Sequence, residues 1–165
     1  MKILNIATII ALACQVPCGP ARAQERGSRA IAGTWALQSI YEENDGGQDL
    51  DRWGARPTGH FIADAAGHFS FQLVGRGAIR LASASSPACS ARSDREALAY
   101  VGTYAVDPEQ GTITLRIEDA TAAGWERSRP NAAVTVGGDR LDFVSSAETS
   151  PTGAFYTHLV WKRIN

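Results

Sequence analysis

The feature that most constrains this chain is an alternation of apolar and polar residues with a period of two. Phe69, Phe71 and Leu73 alternate with His68, Ser70 and Gln72. Ile113, Leu115 and Ile117 alternate with Thr112, Thr114, Arg116 and Glu118. The same pattern appears in Ile31, Gly33, Trp35 and Leu37, in Phe61 and Ala63, in Tyr104 and Val106, in Val134 and Val136, and in Leu141 and Phe143. A last run, Phe155 to Ile164, carries large residues on both faces. Successive side chains of a β-strand point to opposite sides, so this pattern buries one face of a sheet. It predicts eight strands and an all-β fold.

The stretches between these runs are short turns. Asp64-Ala65-Ala66-Gly67, Asp107-Pro108-Glu109-Gln110-Gly111 and Gly137-Gly138-Asp139 have the composition and length that join adjacent antiparallel strands. Eight strands in successive hairpins form an up-and-down meander, and closing it into a barrel removes the exposed edges. An eight-stranded barrel has an interior that side chains fill or that holds one small ligand. Three segments break the alternation: Glu42 to Arg56, Gly75 to Leu98, and Asp119 to Asn131. Ser93 to Leu98 has the pattern of one or two helical turns, with Ser93 as N-cap and Glu96 as its capping-box partner.

The first residues read as an export leader. Lys2 precedes an apolar run from Ile3 to Ala13, too short to span a bilayer, and a small-x-small site follows at Ala21-Arg22-Ala23. The expected division is a signal peptide over 1–23, an N-terminal linker over 24–30 and a barrel domain over 31–165. Removing 23 of 165 residues leaves 142, with no membrane-spanning segment. The expected location is the periplasm or the extracellular space. A lipoprotein tethered through Cys14, after Ala11-Leu12-Ala13, is the alternative.

Processing also removes Lys2 and Arg22, so 16 basic residues become 14 against 17 acidic ones, a net charge of −3. A chain of that charge has no electrostatic footprint for nucleic acid. Cys89 remains as the single thiol and forms no internal disulfide.

Particular residues now carry a resemblance. Gly33-Thr34-Trp35 resembles the G-x-W signature of lipocalins. The hairpin Pro57-Thr58-Gly59 through Asp64-Ala65-Ala66-Gly67-His68-Phe69-Ser70 is similar to the P-x-G…D-x-x-G-x-x-S pattern of the bacterial and fungal lipocalin-like domain family. So is Tyr100-Val101-Gly102-Thr103-Tyr104-Ala105-Val106-Asp107 to its Y-x-G-T-Y-x-V-D strand. Gly138-Asp139-Arg140-Leu141 and Leu159-Val160-Trp161-Lys162-Arg163 complete the match, which spans roughly Ile31 to Arg163. The Ser/Ala/Arg-rich middle stretch around Cys89 fits no part of the pattern.

The resemblance implies a calycin-type barrel closed at one end. Gly33, Trp35, Trp161 and Arg163 would form that closure, with the guanidinium of Arg163 over the Trp35 ring. A ligand cavity would have walls of Phe61, Phe69, Phe71, Tyr104, Leu115 and Phe143 and a rim of Trp53, Trp125 and Arg127. Arg76, Arg80, Arg92, Arg127 and Arg129, all in connecting segments, offer a means of meeting a carboxylate. A barrel simply filled by its inward Phe and Leu is the competing reading.

Catalytic and metal signatures are missing. The mature chain has His60, His68 and His158 but no H-x-H, H-E-x-x-H or Cys/His spacing, so the three are read as outward-facing side chains. No G-x-S-x-G elbow occurs. The acidic group Glu42, Glu43, Asp45, Asp49 and Asp51 lacks the spacing of a Ca²⁺ loop and is read as a solvated loop. The expectation is an exported protein that binds or carries a small hydrophobic molecule, with an anionic group as one option, and needs no cofactor. The alternative is an isomerase- or cyclase-type enzyme acting on a hydrophobic substrate in the barrel.

Overall fold

The computed structural model describes residues 20–44, 46–47, 49–50, 53, 56–75, 96–122, 124–150 and 153–165. Helix α1 (Pro20–Ile31) precedes ten strands: β1 (Gly33–Asn44), β2 (Asp49–Leu50), β3 (Thr58–Ala63), β4 (His68–Gly75), β5 (Glu96–Asp107), β6 (Thr112–Ala120), β7 (Asn131–Gly137), β8 (Arg140–Ser145), β9 (Glu148–Ser150) and β10 (Gly153–Arg163). Eight of them, β1, β3 to β8 and β10, form an antiparallel up-and-down barrel, which β1 closes by pairing with β10. The predicted all-β, eight-stranded barrel is the observed fold. The short strands β2 and β9 extend the far halves of β1 and β10, Glu42 pairing with Leu50 and Phe155 with Glu148.

The alternation maps onto burial as the sequence predicts. Phe69, Phe71 and Leu73 on β4 and Ile113, Leu115 and Ile117 on β6 are buried, while the residues between them face outward. The turns hold for local reasons. Asp64 caps its own turn, its Oδ1 accepting from the His68 N–H at 2.8 Å, and Gly67 takes the positive φ of 95° that closes it. Asp107 Oδ1 likewise accepts from the N–H groups of Glu109 and Gln110.

Three local expectations are corrected. Residues 24–30, read as a linker, lie in α1, and Ile31 ends that helix rather than starting the first strand. Glu96, Ala97 and Leu98 are strand, because Leu98 pairs with Leu73 and Ala97 with Val74 on β4; residues 93–95 lie outside the described residues. Tertiary pairing here overrides a local helical preference. The first strand also runs on through Glu42 to Asn44, where the sequence reading placed a loop. A β-bulge between Leu37 and Ser39 explains why the alternation is lost to the eye. Trp35 and Leu37 face the core before it, and Ile40 and Glu42 face inward after it, so the extra residue shifts the phase by one.

Candidate functional site

One end of the barrel is sealed. Trp35 is fully buried, and the guanidinium carbon of Arg163 lies 4.0 Å from its ring centroid. Gly33 permits this approach. Its φ is 142°, and a Cβ there would collide with the Arg163 guanidinium. Helix α1 completes the seal. Gly27, Ser28 and Ile31, spaced along one helical face, are buried, and Gly27 packs against Val106 of β5. The last carbonyls of a helix lack partners within it. Here Trp35 Nε1 donates to the Ile31 carbonyl at 2.7 Å, and Arg163 donates to the carbonyls of Ala32 at 2.6 Å and Ala30 at 2.9 Å. The Tyr104 hydroxyl lies 2.6 Å from the Asp64 carbonyl and 3.1 Å from that of Ser28 and shares its single hydrogen between them.

Above this floor sits an aromatic layer. Phe61 meets Phe143 edge-on at 5.1 Å and packs beside Phe69 and Trp161. Trp161 in turn meets Phe71 edge-on at 5.6 Å. Trp161 is therefore a core residue one layer above the Trp35–Arg163 pair.

Beyond the layer lies a cavity of about 140 Å³. Most of its wall is apolar, supplied by Ile40, Phe71, Leu73, Leu98, Leu115, Phe143, Phe155 and Leu159, with Trp53, Tyr100 and Trp125 among the aromatic lining. Tyr100 stacks on Phe71 at 4.4 Å and approaches Trp125 at 5.6 Å. The Pro130–Ala132 stretch also lines it, where the β6–β7 seam is made by irregular bonds such as Leu115 N–H to the Pro130 carbonyl at 3.0 Å.

The polar groups of this wall are few. Glu42, 5% exposed, and Glu148 supply carboxyl groups, and Asn131, Ser145 and Thr157 supply neutral ones. Burial, and secondarily the charge of Glu148, pushes the Tyr100 phenol well above its ordinary pKa. The indole N–H groups of Trp53 and Trp125, like that of Trp161 in the aromatic layer, are buried and find no acceptor among the described residues.

The expected wall and rim residues therefore divide. Phe71, Leu115, Phe143, Trp53 and Trp125 are brought together around the cavity. Phe61, Phe69 and Tyr104 lie in the packed layer and floor instead, and Arg127 is exposed outside the lining. Arg129 is exposed too, and Arg76, Arg80, Arg92 and Cys89 lie outside the described residues. Sequence reasoning missed Glu42, Glu148 and Tyr100 as lining residues. The parity shift at the β1 bulge is the trace that would have turned Glu42 inward.

The histidines face away from the cavity. His60 is exposed, and His68 Nδ1 lies 2.9 Å from Asp64 Oδ2. His158 stacks on Tyr41 at 4.5 Å and meets Glu43 at 3.3 Å. Among the described residues no cluster of three His, Cys, Asp or Glu side chains has metal-binding geometry, and no helix is long and apolar enough to cross a membrane.

A family model described as a lipocalin-like domain matches residues 32–164, most of the chain. The chain belongs to the lipocalin-like domain family. Within a lipocalin-like domain, the sealed floor and the cavity above it are the two ends of one barrel, and the fold is of a ligand-binding kind. No curated protein matches the chain.

Proposed function

We propose that this protein binds or carries a small, mainly apolar molecule in the cavity above the aromatic layer. The observation that carries the reading is a cavity of about 140 Å³ with an aromatic and aliphatic wall that contains two indole N–H groups lacking acceptors among the described residues. Such a volume suits roughly six to ten non-hydrogen atoms. Ligand pockets are mostly apolar with a few polar groups that orient the occupant. A buried donor without a partner is costly, so the occupant gains by bringing an acceptor to Trp53 or Trp125.

Export is part of the proposal. Cleavage after Ala23 would spare the helix contacts described above, which come from Gly27 to Ile31. N-terminal sequencing of the protein from its native host tests this. A start at Gln24 is expected, and a lipidated Cys14 would replace the soluble form with a tethered one.

Native mass spectrometry of the same material tests the binding reading. The expected result is a bound species of about six to ten non-hydrogen atoms, released on unfolding. Protein that is free of any small molecule and takes up none would contradict it. The enzyme reading is favoured by one observation, the Glu42 carboxyl in an apolar wall. An isomerase or cyclase would convert the bound molecule on incubation and lose that conversion in Glu42→Gln, whereas a carrier returns it unchanged.

A further inference from the structure

We propose that the occupant is a neutral aromatic carbonyl compound, its oxygen accepting from the buried indole N–H groups of Trp53 and Trp125 and its ring lying against Phe71 and Tyr100. This rests on the binding reading above and names the chemistry of its ligand. The two indoles reach the cavity from different connections, and each is set by its local backbone. Trp53 is 9% exposed and packs on the end of β4. A Cβ at Gly75 would stand 3.0 Å from the Trp53 carbonyl oxygen and 3.6 Å from its ring, so the glycine makes room for this approach. Trp125 lies in the connection between β6 and β7. Its carbonyl accepts from the Ser128 N–H at 3.0 Å and from the Ser128 hydroxyl at 2.6 Å, and the Arg127 N–H donates to the Ile117 carbonyl of β6 at 2.9 Å. The connection is thereby tied to the barrel with Trp125 in the cavity wall.

An indole N–H can only donate, so its counterpart on a ligand is an acceptor. Trp161 Nε1 also lacks an acceptor among the described residues, but its ring packs with Phe61, Phe71 and Phe143 and forms no part of the cavity wall. Neutral polar groups of the wall already have uses. Ser145 Oγ accepts from the Thr157 N–H at 2.8 Å, and Asn131 Oδ1 accepts from the Thr114 hydroxyl at 3.4 Å. A carbonyl oxygen offers two lone pairs and brings no hydrogen that needs an acceptor of its own. An anion would offer acceptors as well, but no lysine or arginine among the described residues lines the cavity, and a buried charge without a counter-ion costs far more than a neutral dipole. Phe71, Tyr100 and Trp125 form a contiguous aromatic stretch of wall, with ring centroids 4.4 Å and 5.6 Å apart, against which an aromatic body packs. An aryl ketone or aldehyde the size of acetophenone suits the volume of about 140 Å³.

Three probes separate the acceptor from shape and charge. Acetophenone and α-methylstyrene share one shape and differ by a CH₂ group in place of the oxygen, and benzoate carries an anionic acceptor on the same ring. In calorimetric titrations of the full chain at neutral pH, Trp53→Phe and Trp125→Phe are each expected to weaken acetophenone about five- to tenfold and to leave α-methylstyrene within about twofold of its parent affinity. Benzoate is expected to bind more weakly than acetophenone. A measurement on the parent protein serves should the variants fail to fold: in an infrared difference spectrum the carbonyl band of bound ¹³C-labelled acetophenone should lie at lower frequency than in hexane, as a hydrogen-bonded carbonyl does. A band at the hexane position, equal losses of acetophenone and α-methylstyrene in the folded variants, or tighter binding of benzoate would overturn the carbonyl compound and leave the binding reading standing. No uptake of any of the three would overturn both.

Discussion

Trp35 and Trp53 are both buried indoles, one at each end of the same barrel, and among the described residues only Trp35 of the two has an acceptor for its N–H. At the floor, polar groups are matched one to another: the indole N–H of Trp35, the guanidinium of Arg163 and the last carbonyls of α1 meet at hydrogen-bond distance. At the cavity end, the N–H groups of Trp53 and Trp125 are buried without such matching among the described residues, beside a mostly apolar wall. A matched group stabilises the fold, and an unmatched buried one costs free energy that an acceptor on a ligand would return; Trp161 Nε1, in the packed layer between the two ends, also lacks an acceptor among the described residues. The difference separates the part of the barrel that holds it together from the part that can act.

The largest expected effect breaks the floor. Trp35→Ala removes a fully buried ring, the ring that Arg163 covers and the N–H that donates to the Ile31 carbonyl. Large aromatic truncations in cores cost about 3–5 kcal/mol, and a denaturant melt should show a loss of that order. Arg163→Ala comes next. It removes two hydrogen bonds and the cation–π contact of a half-buried side chain, and should cost about 1–3 kcal/mol. Affinity for a cavity ligand should change little in properly folded Arg163→Ala protein. A large loss of affinity with an unchanged melt would reverse the assignment of the two ends.

The cavity end should respond in the opposite sense. Trp53→Phe and Trp125→Phe each delete a buried N–H that has no acceptor among the described residues. Their stability should stay within about 1 kcal/mol of the parent or rise slightly, while affinity for a phenol such as p-cresol falls.

Two pH effects sharpen the contrast. The folded pKa of Tyr100 is raised above the ordinary value of 10.0 by burial and by Glu148. Its contribution is therefore complete below pH 10 and is lost as pH rises toward the folded value. Tyr100→Phe should flatten the decline in stability between pH 9 and about pH 11, read from urea melts. The smallest effect belongs to Asp64. The His68 backbone N–H, and then the His68 side chain, hold its pKa below 3.8. Its contribution is present above that value and is lost as pH falls through the folded pKa, so Asp64→Asn should weaken the acid dependence slightly.

Much of this organisation is legible in the sequence, and the exceptions have physical reasons. Strand order and turns follow from period-two alternation and from Asp and Gly at fixed places, as in Asp64–Gly67 and Asp107–Gly111. The closure pair was legible through the family resemblance of Gly33-Thr34-Trp35 and Arg163. Helix α1 was not, although Gly27, Ser28 and Ile31 face the barrel opposite the exposed Glu25, Arg26 and Arg29: this helical period lies in a stretch read as a linker, and two of its three docking residues are small. Glu42 was hidden by a bulge that no local composition announces. Phe61 and Phe71 carry the same alternation and even pair across β3 and β4, yet only Phe71 lines the cavity. Depth along a barrel depends on strand tilt and stagger, which a one-dimensional pattern does not contain.

The four tryptophans permit the most direct test, because each indole N–H gives its own resonance. Trp53 and Trp125 line the cavity, Trp161 lies in the aromatic layer and Trp35 in the floor. In a titration of ¹⁵N-labelled protein with p-cresol, the indole signals of Trp53 and Trp125 should move together, that of Trp161 less, and that of Trp35 not at all. Movement of the Trp35 signal with Trp53 and Trp125 unmoved, or no movement of any of the four at saturating p-cresol, would contradict the account.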